Sequence, residues 1–280
     1  MYIDCATPVT PQLMARAAML VMPDTAWLSH TTAAMMLGLP VPADARIHVS
    51  VPTAADRRLK QTLCSHIATR PTTQRVAGVA VTTGAALFWE LGTVLGLVDL
   101  VVVGDAMVRA RLTTPRKLVA AAASLTGTYA GHTRRAAGHV RDKVDSPMES
   151  RLRLLIVLAG LPEPRVNPEI REGAFRTRVD LCYLDLKLVI EYDGQQHRAD
   201  DLDQWDRDNE RIAWFAQHDW ELVPVISRGI YRRPAETLER VCDAIRRRGG
   251  VVPELNPEWR LYFPGDGTGE PNPVALTESG

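Results

Sequence analysis

Three carboxylates carry the chemistry this sequence suggests most directly. Asp180 stands in Arg178-Val179-Asp180, and Glu191 and Asp193 stand in Leu188-Val189-Ile190-Glu191-Tyr192-Asp193-Gly194. Strand side chains alternate between faces, so Glu191 and Asp193 project to one side. The residues before them are apolar, which marks a buried strand. Carboxylates at the end of such a strand are costly unless water, donors or a cation compensates them. Asp180 lies about ten residues earlier, and a hairpin would set it beside Glu191. Such a cluster suits a hard divalent ion, Mg²⁺ or Mn²⁺, which binds oxygen ligands and can activate a water against a phosphodiester. Asp180 and Glu191 are the expected ligands, with the backbone carbonyl of Tyr192. Asp193 is placed to orient the attacking water, and Glu149 reads either as reaching the ion through water or only as the partner of a helix-capping box. His197 reads either as a general acid/base near the scissile phosphate or as a structural cap of the next helix.

The elements that must position these groups are legible in the pattern. Ser146-Pro147-Met148-Glu149 has a capping serine, proline at the first position and Glu at the third, which opens a helix whose apolar Leu152, Leu155, Ile156 and Ala159 recur at helical spacing. Strands are predicted over Arg165–Ile170, Phe175–Tyr183 and Leu186–Tyr192, with a turn at Glu172-Gly173. A charged helix over Asp201–His218, a strand over Trp220–Ile226 and a closing helix over Pro234–Arg248 complete residues 146–249. The expected fold class is α/β (α+β), with this αβββαβα domain behind a mainly helical mixed domain over 1–125. A Gly-, His- and Arg-rich connector is expected over 126–145, and a disordered Pro/Gly-rich tail over 250–280. In the first half, Ser29 is expected to cap a helix ending at Gly38, strands are expected over Arg46–Val51 and Val76–Val81, and Pro115 opens a further helix. Leu91–Met107 reads as one buried helix.

The 280 residues are 46% hydrophobic and 24% charged, which excludes a disulfide miniprotein or a wholly disordered chain. Lys+Arg and Asp+Glu number 33 each, which argues against holding nucleic acid by bulk charge alone. The cysteines Cys5, Cys64, Cys182 and Cys242 form no CxxC pair, and no His stands at ligand spacing beside them, so no zinc is expected and the thiols read as reduced. Met1-Tyr2-Ile3-Asp4 has no signal-peptide character, and no apolar run is long enough to span a bilayer. The protein is therefore expected to be cytoplasmic, without a membrane partner or small-molecule cofactor.

The pattern Asp-(about ten residues)-Glu-x-Asp after a helix bearing Glu149 resembles the PD-(D/E)XK nuclease superfamily. The likeness is to the branch that looks like the very-short-patch-repair mismatch endonuclease, the domain of unknown function 559. It rests on Ser146-Pro147-Met148-Glu149, Arg178-Val179-Asp180-Leu181, Val189-Ile190-Glu191-Tyr192-Asp193-Gly194 with His197, then Asp208, Arg211 and Trp220 before Leu222-Val223-Pro224-Val225. The resemblance implies a metal-dependent DNA endonuclease, with Asp193 in place of the motif lysine. The alternative is a nuclease fold without turnover, serving nucleic-acid binding or toxin–antitoxin regulation. Arg178, Gln195, Gln196, Arg211 and Arg228 are the expected nucleic-acid contacts. Asp208 and Arg211 also read as an ordinary helix-surface pair. Trp205, Trp214 and Trp220 read as core or as base-stacking platforms, and Arg246-Arg247-Arg248 as a solvated helix end or a DNA face. In the first half, Ser29-His30-Thr31-Thr32-Ala33-Ala34 through Gly38-Leu39-Pro40 resembles AbiEi-type antitoxin proteins, which implies a possible protein partner. That family usually begins with a winged helix-turn-helix, and no such module is expected in this stretch.

Overall fold

In the computed structural model, the described residues are 8–58, 60–68, 72–173, 175–194 and 202–265, with 202–208 described as helical backbone. They fall into two compact units, Met1–Val140 and Arg141–Gly280. The architecture is α+β.

The first unit runs α1 (Pro11–Met19), β1 (Trp27–Leu28), α2 (His30–Met36), β2 (Ile47–Val51), β3 (Leu63–Ile67), β4 (Thr73–Val76) and β5 (Val79–Thr82). It continues with α3 (Gly84–Gly92), α4 (Leu97–Arg109), α5 (Pro115–Ala123) and α6 (Ala130–His139). Its mixed sheet has the order β3-β2-β1-β5-β4, with β2–β3 and β1–β5 parallel. Threonines start two helices: Thr10 Oγ1 accepts from Leu13 N at 3.1 Å and Thr114 Oγ1 from Lys117 N at 3.2 Å. Each such cap contributes about 1 kcal/mol.

Three expectations change here. Val76–Val81 is not one strand: it holds the end of β4, a turn at Ala77 (φ 47°) and Gly78 (φ 85°), and most of β5. Two consecutive left-handed residues let a two-residue turn match the twist of its strands. Leu91–Met107 is two helices broken after Gly92, and α4 passes close to Phe88 and Val140. A Cβ on Gly104 would lie 2.5 Å from a Val140 methyl and 2.8 Å from the Phe88 ring. The expected connector contains α6, which buries Ala130, Thr133, Ala136 and Ala137 and belongs to this unit's core.

The second unit runs α7 (Pro147–Leu158), β6 (Arg165–Val166), β7 (Glu169–Glu172), β8 (Phe175–Arg178), β9 (Leu181–Tyr183), β10 (Leu188–Tyr192) and α8 (Leu202–Gln217). It closes with β11 (Glu221–Val225), α9 (Ser227–Tyr231), α10 (Pro234–Arg247) and α11 (Trp259–Tyr262). The main sheet has the order β11-β10-β9-β6, and β7–β8 form a separate hairpin. The two long strands expected before β10 are thus each split. Asn167 has φ 45° and Pro168 offers no N–H, so the ladder bends there; Asn167 N–H donates to the Asp180 carbonyl at 2.7 Å across the bend. On one face of the sheet Cys182 and Val189 pack with Ile170, Val179 and Phe215 of α8. On the other, Leu188 and Ile190 are buried where α7 and α10 meet β10. The expected free tail does not begin at 250: Trp259 and Phe263 are each 4% exposed, and Asn256 N–H donates to the Ala159 carbonyl at 3.0 Å. Residues 266–280 lie outside the described residues.

Candidate functional site

The pleat of β9 and β10 places the first two carboxylates. These strands are antiparallel with Val189 opposite Cys182 and Ile190 opposite Leu181, so the next position along sets Asp180 across from Glu191. Val189, Glu191 and Asp193 share the face covered by α8, and Asp180 shares it with Cys182. Asp180 Oδ2 accepts a hydrogen bond from Tyr192 N–H at 2.9 Å. The expected pairing of Asp180 with Glu191 is therefore present in the backbone register.

Glu191 is held by α8. Arg211 donates Nη1 to Oε1 at 2.7 Å and Nη2 to Oε2 at 2.6 Å, a two-pronged ion pair whose side chains are 24% and 14% exposed. The Arg211 guanidinium also lies 5.6 Å from the Phe215 ring centroid. This cross-element clamp is not part of the helix-surface reading of Arg211, whose other member, Asp208, has its side chain outside the described residues. Planar guanidinium and carboxylate match in shape, so the pair holds both groups in one geometry.

Glu149, 6% exposed, stands at the first turn of α7. Ser146 Oγ accepts from Glu149 N–H at 3.2 Å, as a capping serine should. Glu149 Oε2 accepts from Asp145 N–H at 3.0 Å and Asn167 Nδ2 at 2.7 Å. Its charge bears on Asp180. Burial first, then Glu149, then Glu191 push the Asp180 carboxyl up to about 7, against the pull of Tyr192 N–H and Arg211. Asp193 continues the strand, with its N–H donating to the Val225 carbonyl at 2.8 Å.

Glu149 and Glu191 both act on the Asp180 carboxyl, yet among the described residues no three carboxylates bring their oxygens within 4.8 Å of one another. In the geometry described, Arg211 supplies the positive charge to Glu191 and occupies both of its oxygens.

A basic cleft of ≈740 Å³ adjoins this cluster, lined by Lys143, Arg165, Asn167, Arg176 and Arg178 together with Glu169. Asn167 connects the two, since it lines the cleft and donates to Glu149. Of the expected nucleic-acid contacts, Arg178 is in this cleft and pairs with Asp145 at 3.0 Å. Arg228 is exposed on α9. Gln195, Gln196 and His197 lie outside the described residues, as do the side chains of Trp205 and Asp208. The arginine run is engaged at the surface, with Arg246 on Asp243 at 2.8 Å, Arg247 on Glu221 at 2.6 Å and Arg248 on Asp219 at 2.9 Å. It is an ion-paired helix end. Trp214 is stacked between Phe175 at 3.8 Å and His218 at 4.1 Å, and Trp220 packs on the core, which leaves neither as a base platform.

The first unit contains a cluster that local spacing did not reveal. Among the described residues, the one trio of metal-ligating side chains whose ligand atoms lie within 4.8 Å of one another is His30, His48 and His66. They come from α2, β2 and β3. His30 adopts φ 49° at the start of its helix, an uncommon conformation for a non-glycine residue. A signal was present in Ile47-His48-Val49-Ser50-Val51: the polar alternate positions belong to a strand in which His48 is 1% and Ser50 0% exposed.

No protein family matches the chain in a scan of family descriptions. Two uncharacterized proteins of Mycobacterium tuberculosis, MT2308 of strain CDC 1551 / Oshkosh and Rv2248 of strain ATCC 25618 / H37Rv, are each 29% identical to it over 106 residues, or 38% of this chain. The chain spans about two fifths of these relatives' length, 39%. The crystal structure of the RV2827C protein from Mycobacterium tuberculosis is similar over 59% of this chain and 66% of that one, with a TM-score of 0.33 and 16% identity.

Proposed function

We propose that the second unit is directed at the phosphodiester backbone of nucleic acid, DNA first, and hydrolyses it with the help of a divalent cation. The observation that carries this reading is the half-buried Asp180, set across from Glu191, whose carboxyl burial first and then the charges of Glu149 and Glu191 push up to about 7. Groups perturbed in this way gather where chemistry is done. Asp180 and Glu191 would hold Mg²⁺ or Mn²⁺ with the Tyr192 carbonyl, and the ion would supply an activated water and offset charge on the phosphoryl group. Lys143, Arg165, Arg176 and Arg178 would seat the backbone, Asp193 would orient water, and Arg211, once released from Glu191, would face a phosphate. The three described cysteines, Cys64, Cys182 and Cys242, are free, which agrees with a cytoplasmic setting.

One observation favours a second reading. With Arg211 already on both Glu191 oxygens, the unit could bind nucleic acid without cutting it, as a regulatory scaffold that meets a protein partner through the first unit. Incubating the full chain with supercoiled, single-stranded and mismatched DNA, with Mg²⁺ or Mn²⁺, separates the two. The nuclease reading expects nicking that EDTA abolishes and Asp180→Asn lowers at least a hundredfold. Binding without cleavage under every condition, or cleavage unchanged in Asp180→Asn, overturns it.

A further inference from the structure

The three histidines of the first unit are a different chemistry from the carboxylates of the second. His48 Nε2 lies 2.8 Å from Asp44 Oδ2, and His48 Nδ1 lies 2.9 Å from His66 Nε2. His30 Nδ1 lies 3.0 Å from Ser29 Oγ, which leaves its Nε2 for another partner. The rings gather tightly, with centroids 3.7 Å apart for His30 and His66, 5.1 Å for His48 and His66, and 5.3 Å for His30 and His48. No carboxylate bonds the nitrogens that face one another; Asp44 engages only the outer nitrogen of His48.

We propose that His30, His48 and His66 bind one late first-row divalent transition-metal ion, zinc above all, whose fourth coordination position faces the adjoining cleft lined by Ser50 and Glu90. That cleft has a volume of ≈620 Å³ and is lined by His30, Ser50, His66, Trp89, Glu90 and Thr93 among others.

Four features support this assignment. Imidazole nitrogen suits zinc, copper and nickel, whereas Mg²⁺ demands oxygen, so this trio selects against the ion expected in the other unit. Asp44 on the outer nitrogen of His48 is the carboxylate–histidine arrangement that fixes tautomer and ring angle, and it directs the Nδ1 lone pair inward. Metal-bound nitrogens in a tetrahedral shell stand about 3.3 Å apart at bond lengths of about 2.0–2.1 Å. The existing separations, all within 4.8 Å, therefore require ring tilts and not a refolded backbone. Finally, Ser50 is 0% exposed, lines the cleft, and its Oγ has no hydrogen-bond partner among the described residues. A buried hydroxyl without a partner costs about 1–3 kcal/mol, and a water on the ion's open side would satisfy it.

A histidine binds a metal through a neutral ring nitrogen. The proton shared by His48 and His66 has only to move to the outer nitrogen of His66 for both inner lone pairs to become available. Three protein ligands and one open position are the pattern of zinc sites that bind or activate a fourth group, whereas purely structural sites are closed by four.

Cobalt(II) is the probe, added to the full chain freed of metal by chelator. One equivalent is expected to give visible absorption of four-coordinate intensity that zinc bleaches stoichiometrically. His66→Gln should weaken binding at least a hundredfold, and Asp44→Asn, a positioning change, tenfold to a hundredfold. Asp180→Asn should leave the four-coordinate absorption in place, which separates this site from the carboxylates. X-ray absorption of the zinc-loaded parent should count three imidazoles, a readout that needs no variant to fold. Absence of stoichiometric binding, an imidazole count below two, or unchanged binding in a folded His66→Gln overturns the proposal.

Discussion

Two clusters of titratable side chains sit among the described residues, one in each unit, and they are compensated in opposite ways. Around Glu191 the groups are carboxylates under partial burial, and the fold supplies its own counter-charge in Arg211 at 2.6 and 2.7 Å. Around His48 the ligands are neutral, and burial keeps them so, because desolvation disfavours the imidazolium. Buried carboxylates must be neutralised for the chain to fold, so a guanidinium can stand in an ion's place. Buried imidazoles need no such partner, and here they meet through the 2.9 Å hydrogen bond of His48 with His66 and the stacked rings of His30 and His66. Resident cations therefore mask an anionic site, whereas a neutral site stays legible in the metal-free state.

The contrast breaks first at the ion pair. Arg211→Ala leaves Glu191 at 14% exposure without its partner, and the second unit should lose about 3 kcal/mol of unfolding free energy in denaturant titration. A loss under about 0.5 kcal/mol would mean that the clamp compensates nothing.

A smaller effect, opposite in sign, is expected at Asp180. Its folded carboxyl titrates at about 7 against an ordinary 3.8, so the folded state holds the proton more tightly than the unfolded chain. Its contribution is thus fully present at low pH and is lost as pH rises from about 4 through about 7. Asp180→Asn, which can still accept from Tyr192 N–H, should stabilise the metal-free protein by about 1–2 kcal/mol at pH 8. That gain should fade toward pH 4, as thermal melts across pH would show. A gain that grows as pH falls would contradict the assignment.

In the neutral cluster the corresponding change should matter less without metal. His66→Gln removes no counter-charge, and chelated protein should lose no more than about 1 kcal/mol. A loss matching that of Arg211→Ala would erase the distinction between the clusters. The smallest effect belongs to the basic cleft. Arg176→Ala should reduce the salt slope of DNA binding by about one counterion, measured by fluorescence anisotropy over a salt series.

How much of this was legible depended on whether partners lay on neighbouring strands. The register of Asp180 and Glu191 follows from strand alternation and a hairpin, both written in the sequence. The break of that hairpin at Asn167-Pro168 moved strand ends without moving the carboxylates. Arg211 was named, but its partner was not, because spacing along a helix says nothing about which strand the helix crosses. The histidines were missed altogether, since they meet only through the parallel pairing of β2 with β3 and the left-handed turn of His30. Trp259 and Phe263 escaped notice because two apolar anchors in a Pro/Gly-rich stretch give no periodicity, yet they pack that stretch in place.

The central claim is that Asp180 and Glu191 form a cation site closed by Arg211. Crystals of the full chain grown with Mn²⁺ and measured at the manganese edge test it most directly. The account predicts an anomalous peak in contact with both carboxylates and the Arg211 guanidinium withdrawn from Glu191. Arg211 still seated on both Glu191 oxygens at saturating Mn²⁺, with no peak beside Asp180, would contradict it.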